Sequence, residues 1–362
     1  MTVVPNPGNV AIVDSAPLRY LWSHAHGLPV VVEATTTTLA DSLVAWIRRE
    51  RSWIEEALGQ QGAILLRGFS IRTPTEFERV AQAVSPTLLR DYLGTAPRNR
   101  LTEYVHSASE LPSHYPIPAH CEMSFLPNAP KRLFFHCNVE PTGRGGETPI
   151  VDMRAVYRGI DPSVRSEFEA KQVTSTRIYS GPRSRKSVDL WNVKRWDEMF
   201  QTTDRAIVET HATKEGLACE WLAGDRLRLT CTRPAVHHDE ASGEPVWFNH
   251  VLVLHVDAAA SEYAQVAARQ RELRYFGLGL VARALAAVKH RLYSPDDQTM
   301  HMTFGDGTPI DSAVLEHVRD VTWQNMVFFR WHAGDVMILD NQKVAHARMP
   351  YRGPRFISVC WA

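Results

Sequence analysis

Asp340-Asn341-Gln342-Lys343-Val344-Ala345-His346-Ala347-Arg348-Met349-Pro350-Tyr351-Arg352-Gly353-Pro354-Arg355 sets one histidine and three arginines close together near the end of the chain. An upstream His-x-Glu, His120-Cys121-Glu122, gives His346 its meaning. Two imidazoles and a carboxylate from distant parts of a β-rich chain match the ligand set of a non-haem Fe(II) oxygenase, which leaves coordination positions open on one side of the metal.

With 16 histidines, a His-x-acid triplet also arises by chance, and this chain has four. His237-His238-Asp239-Glu240 supplies two overlapping copies, but it runs into Ala241-Ser242-Gly243-Glu244-Pro245 and reads as a solvated turn. His255-Val256-Asp257 closes the apolar run Val251-Leu252-Val253-Leu254, so its polar side chains could share one face of a strand. On spacing alone this second site stays a rival.

The surroundings of His120 separate it from the others. Arg132-Leu133-Phe134-Phe135-His136-Cys137-Asn138-Val139 has the apolar, aromatic content of a buried strand, and Gly143-Arg144-Gly145-Gly146-Glu147-Thr148-Pro149 follows. Further blocks stand in order: Trp247-Phe248-Asn249, Gly305-Asp306-Gly307-Thr308-Pro309-Ile310, Gly334 to Asn341, and His346 to Arg355. This collinear series closely resembles the taurine dioxygenase (TauD/TfdA) family, and within it the SyrP-like branch. The resemblance extends upstream through Gly62 to Phe69 and Thr95-Ala96-Pro97-Arg98, covering residues 28–362 as one domain behind an N-terminal extension of residues 1–27.

The resemblance implies a mostly β, α+β fold: a double-stranded β-helix, or jelly roll, with flanking helices and a long insertion. It implies Fe(II) held by His120, Glu122 and His346, with 2-oxoglutarate and O2 as cosubstrates. Arg355 takes the position that grips the distal carboxylate of 2-oxoglutarate, and Thr148 resembles the threonine that joins it. A planar guanidinium suits a carboxylate because it can donate two charge-assisted hydrogen bonds. Arg348 and Arg352 compete for that role by proximity. Arg98, Ser124, Trp247, Asn249 and Asp306 lie in or beside blocks that resemble the substrate pocket, although a Trp-Phe-Asn run also reads as core and Asp306 between two glycines as a turn.

The family more often carries Asp where this chain has Glu122, and glutamate offers the same anionic oxygens on a stem one methylene longer. Related halogenases lack that carboxylate, so its presence argues for oxygenation. The implied activity is hydroxylation of an unactivated carbon on a small metabolite, an amino acid free or carrier-tethered, coupled to decarboxylation of 2-oxoglutarate to succinate. Desaturation or ring closure by the same site, and a non-catalytic metal-binding jelly roll, are the alternatives.

If residues 120–124 are extended, His120, Glu122 and Ser124 share one face while Cys121 and Met123 share the other. Asp340 and Asn341 then brace the site. Elsewhere, Leu43, Trp46, Ile47, Ile54 and Leu58 predict a helix over about 39–58, followed by a strand at Ala63 to Leu66. Thr73-Pro74-Thr75-Glu76 predicts a capping box opening a helix that turns Phe77, Val80, Ala81 and Val84 inward. Helical patterning returns at Ala258 to His290.

Composition agrees with one enzyme domain. Hydrophobic residues make up 44% and charged residues 22%, enough for a sizeable core. Forty basic and 40 acidic side chains give a net charge of +0, so no global field favours nucleic acid or an anionic membrane, and a small molecule is the expected partner. Homo-oligomerisation is left open. Five cysteines, odd in number and without CxxC spacing, argue for buried thiols in a reducing compartment. The N-terminus lacks a basic start and an apolar h-region, and no run approaches a membrane span, so the expectation is a soluble cytoplasmic protein.

Overall fold

The computed structural model describes residues 10–13, 16–22, 27–90, 94, 98–184, 195–292 and 298–362, with the backbone alone at 10–13, at 16–22 and at position 37. Thr95, Ala96 and Pro97 of the upstream block lie outside the described residues, as do residues 1–9 of the extension.

The frame is an eight-stranded sheet ordered Val10–Val13, Ala16–Trp22, Val30–Leu39, Ala63–Ser70, Val336–Asp340, Arg132–Val139, Phe356–Trp361, His106–Ser107. Its pairs are antiparallel except Val30–Leu39 with Ala63–Ser70. The first two strands come from the N-terminal extension and add to the sheet edge. The central strands are apolar on both faces. Ala63, Leu65, Leu133, Phe135, Met337 and Leu339 enter one core, while Ile64, Leu66, Phe134, Val336 and Ile338 enter the other. That two-residue alternation is the pleat itself, and burial of both faces explains why these segments read as continuous apolar runs.

The outer core is covered by helices. Ala40–Arg49 and Arg51–Gln61 stand where the sequence predicts one helix, the break falling at Glu50, yet all five predicted apolar residues are buried. Pro74–Val84 opens with the expected capping box, in which Thr73 Oγ1 accepts from the Glu76 amide and the Glu76 carboxylate accepts from the Thr73 amide.

The inner core lies between the large sheet and two smaller ones. A three-stranded sheet is ordered Ile117–His120, Val344–Arg348, Ile150–Asp152, and a four-stranded sheet, ordered Ala218–Leu222, Arg226–Arg233, Val173–Tyr179, Met300–Phe304, belongs to the insertion. Pairing divides the strands into separate sheets, so the jelly roll is layered and is not a closed barrel. Residues 251–257 correct the sequence reading. The apolar run Val251 to Leu254 forms turns that lead into the helix Ala258–Gln270, and helical patterning continues as Leu273–Leu292.

Candidate metal and cosubstrate site

The small three-stranded sheet assembles the centre. Val344–Arg348 pairs antiparallel with Ile117–His120 so that His346 faces His120 directly across the ladder, with Ile150 opposite on the other side. Cross-strand partners project to the same face, and the two imidazole rings lie 4.4 Å apart between centroids. The register slips between His346 and Arg348, a bulge that re-aims the chain just beyond the site.

Glu122 arrives differently from the extended geometry expected of residues 120–124. The strand ends at His120, the chain turns through residues 122–125, and Met123 adopts a positive φ of 55°. Asn341 holds this turn: its Oδ1 accepts from the Glu122 amide at 2.7 Å, and its Nδ2 donates to the carbonyls of Glu122 at 3.0 Å and Pro130 at 2.8 Å. The C-terminal block therefore fixes the upstream ligand through backbone hydrogen bonds, the bracing role expected of Asn341.

One ligand atom each from His120, Glu122 and His346 lies within 4.8 Å of the others. Two metal–donor bonds of about 2.1 Å each span at most about 4.2 Å, so a bound ion would draw the three donors slightly together. His120 donates from Nδ1 to the Pro118 carbonyl at 2.8 Å, which leaves Nε2 as a lone-pair donor. His346 has its Nε2 4.0 Å from Glu122 Oε2, and among the described residues its buried Nδ1 meets no hydrogen-bond partner. Burial holds both imidazoles below their ordinary pKa, His346 further than His120, so both stay neutral and able to ligate. Two neutral nitrogens and one carboxylate are a donor set that fits Fe(II).

Arg98 meets the ligand carboxylate rather than open space. Its Nη2 donates to Glu122 Oε2 at 2.7 Å in a buried pair, its Nη1 donates to the Ala108 carbonyl, and its guanidinium lies 5.7 Å from the Trp361 ring. The charge that could have met a substrate is thus engaged with a carboxylate of the candidate metal triad.

The Gly-Gly-Glu-Thr block curls against the segment after His346. Gly145 and Gly146 have φ of +80° and +84°, and a Cβ on Gly145 would stand 1.9 Å from the Pro350 carbonyl oxygen. Only glycine permits that approach. It brings Thr148 to Arg355, whose Nη2 donates to Thr148 Oγ1 at 3.1 Å and whose Nε donates to the Gly146 carbonyl at 2.8 Å. Thr148 Oγ1 also accepts from Trp331 Nε1 at 2.9 Å. Burial lowers the Arg355 pKa to about 10, still charged at neutral pH. The competing arginines are occupied otherwise: Arg348 donates to the carbonyls of Leu111, Pro112 and Tyr115, and exposed Arg352 pairs with Glu272.

One cavity is lined by His120, Glu122, His346, Thr148, Arg355 and Arg98 together with apolar Phe125, Phe135 and Val253. The other residues singled out by sequence are placed elsewhere. Trp247 is core against Phe168, Asn249 donates to the Ala235 carbonyl and accepts from the Val251 amide, and Asp306 is an exposed turn residue that accepts from Thr308. Ser124 is buried beneath the cavity wall, 2.6 Å from His250 Nδ1. His250, which the sequence reading passed over, does line the cavity. Its only signal was its place directly after Trp247-Phe248-Asn249.

The rival triplets do not gather into a metal site. Asp239 accepts from Lys343 at 2.7 Å and from Ser242, and His237 Nε2 meets the Gln342 carbonyl. His255 and His290 both approach Asp257, at 3.6 and 3.3 Å. Among the described residues, only His120, Glu122 and His346 form a convergent group of three.

Comparison with known proteins agrees with this arrangement. The model of the taurine catabolism dioxygenase TauD, TfdA family matches residues 28–361. The dapdiamide synthesis protein DdaC of Enterobacter agglomerans is 29% identical over 306 residues, covering 84% of this chain and 83% of that protein. A clavaminate synthase-like protein of Arabidopsis thaliana is 27% identical over 320 residues, covering 87% and 86%. PvcB of Pseudomonas aeruginosa shares the fold with a TM-score of 0.50 at 13% identity, covering 96% of this chain and 91% of that one. With the matched region spanning every element of the site, the chain belongs to the taurine catabolism dioxygenase TauD, TfdA family and is an iron- and 2-oxoglutarate-dependent oxygenase.

Proposed function

We propose that this oxygenase hydroxylates an unactivated carbon of a small metabolite, an amino acid either free or tethered to a carrier protein, in a secondary pathway. The observation that carries the reading is the single cavity holding both the His120, Glu122, His346 triad and the Arg355–Thr148 pair. A metal-binding protein without turnover has no use for the second. Two relatives by sequence or fold bear biosynthetic names, a dapdiamide synthesis protein and an oxygenase from an isonitrile synthetic pathway, which supports the secondary-metabolite assignment.

In this reading His120, Glu122 and His346 would hold iron, which with 2-oxoglutarate supplies activation of O2. Arg355 binds the distal carboxylate of 2-oxoglutarate, and Thr148 fixes the guanidinium that does so. Arg98 holds the Glu122 carboxylate in one orientation, and Phe125, Phe135 and Val253 exclude water from the reacting carbon. Among the described residues no helix is long and apolar enough to cross a membrane, and we place the enzyme in the cytoplasm.

The test is a panel of amino acids, free and loaded on carrier proteins, incubated with Fe(II), 2-oxoglutarate and O2, with succinate as the readout. Hydroxylation adds one oxygen to the product, and label from ¹⁸O2 should appear in it. A product two hydrogens lighter without added oxygen replaces hydroxylation by desaturation or ring closure. With excess chloride no chlorinated product should form, because Glu122 fills the position halide would need.

A further inference from the structure

The cavity wall includes a buried imidazole, His250, that neither the metal nor the cosubstrate uses. His250 is 4% exposed, lines the cavity, and sits edge-on to His120 with ring centroids 5.2 Å apart and edge-on to Phe125 at 4.9 Å. Its Nδ1 lies 2.6 Å from Ser124 Oγ, itself buried. Among the described residues no other hydrogen bond reaches either side chain. This leaves His250 Nε2 as the imidazole atom available to a molecule in the cavity.

Which of the two atoms donates can be decided by satisfaction. If Nδ1–H donated to Ser124, the serine hydroxyl hydrogen would be buried without an acceptor, a loss of about 1–3 kcal/mol. If the hydroxyl donates to Nδ1, both groups are satisfied and the ring proton moves to Nε2.

We infer that Ser124 locks His250 in the Nε2–H tautomer and that His250 thereby presents a hydrogen-bond donor to a carbonyl-type oxygen of the substrate, such as that of a carboxylate, thioester or amide. An amino acid offers such an oxygen whether free or carrier-tethered, so the inference deepens the proposed function and rests on it for the identity of the occupant. His250 acts on the substrate directly. Ser124 is a positioning residue, one layer behind the role its sequence motif suggested. The donor also specifies polarity: a substrate whose only polar group near this wall is itself a donor, such as an ammonium, meets the wrong partner.

The test reads the ring itself. In protein loaded with Zn(II) and 2-oxoglutarate and labelled with ¹⁵N-histidine, His250 should show the Nε2–H signature. Ser124→Thr, which keeps the hydroxyl, should retain it, while Ser124→Ala should lose the single tautomer. Cyclopentanone, a neutral probe with one carbonyl oxygen, should shift the Nε2 resonance, and methylenecyclopentane, the same shape without the oxygen, should not. An Nδ1–H signature, indifference to Ser124→Ala, or a resonance that cyclopentanone leaves in place overturns the proposal. Because none of these readouts depends on turnover, a failure here is distinguishable from a failure of the amino-acid panel to yield succinate.

Discussion

At the scale of single residues, the site turns on buried charges whose partners are supplied in fixed number. Arg355 retains its charge despite burial, with Thr148 and the Gly146 carbonyl as its hydrogen-bond partners. Arg355→Ala should raise the 2-oxoglutarate requirement by the about 2–5 kcal/mol typical of truncating a buried charged pair. Titrating 2-oxoglutarate against succinate formation measures it, and an unchanged requirement would move the role to Arg348. Thr148→Val should shift the same curve less, since it removes one neutral group. Arg98→Met should weaken iron binding by the roughly 10–100-fold seen for groups that orient metal ligands, because Glu122 Oε2 loses its donor. Equal iron affinity in the variant would reduce Arg98 to packing. The triad residues were legible from spacing and motif order, whereas His250 was not. Trp247 and Asn249 carried the motif, but which residue of that run meets the cavity is set by the turn that follows the strand Pro245–Trp247, and periodicity in one sequence does not specify the direction of a turn.

At the scale of elements, convergence depends on a few close backbone approaches. Gly145 is the tightest, with its positive φ and the Pro350 carbonyl against it. Gly145→Ala should cost more than the about 1–2 kcal/mol of placing an L-residue in the left-handed region, because the added methyl must also displace that carbonyl. Thermal unfolding should therefore begin at lower temperature, and 2-oxoglutarate affinity should fall as Thr148 shifts; an unaltered unfolding midpoint would contradict the packing described. Strands with a clean apolar pattern, such as Arg132–Val139, were legible because burial on both faces leaves a continuous run. Val251 to Leu254 shows the limit of that signal. The same composition is buried there as turns, since enclosure by neighbouring elements, rather than a pleat, accounts for the apolar residues.

At the scale of the whole molecule, burial of neutral imidazoles ties stability to pH. His136 is fully enclosed, donates from Nε2 to the Ile71 carbonyl at 3.1 Å, and burial lowers its pKa from 6.5 to about 4. Between those values the unfolded chain binds a proton that the folded chain refuses, so stability present above pH 6.5 is lost as pH falls toward 4. The loss from this one group is on the order of 3 kcal/mol. Denaturant unfolding across that range should show His136→Gln losing less stability than the parent, and parallel curves would contradict the assignment. The central claim, that three residues drawn from across the chain form one iron site, is tested most directly by equilibrium binding of Fe(II) to the parent and to His120→Ala, Glu122→Ala, His346→Ala and His255→Ala. The account predicts stoichiometric iron in the parent and in His255→Ala, and loss by orders of magnitude in the other three with the fold intact; full binding by His346→Ala, or loss confined to His255→Ala, would contradict it.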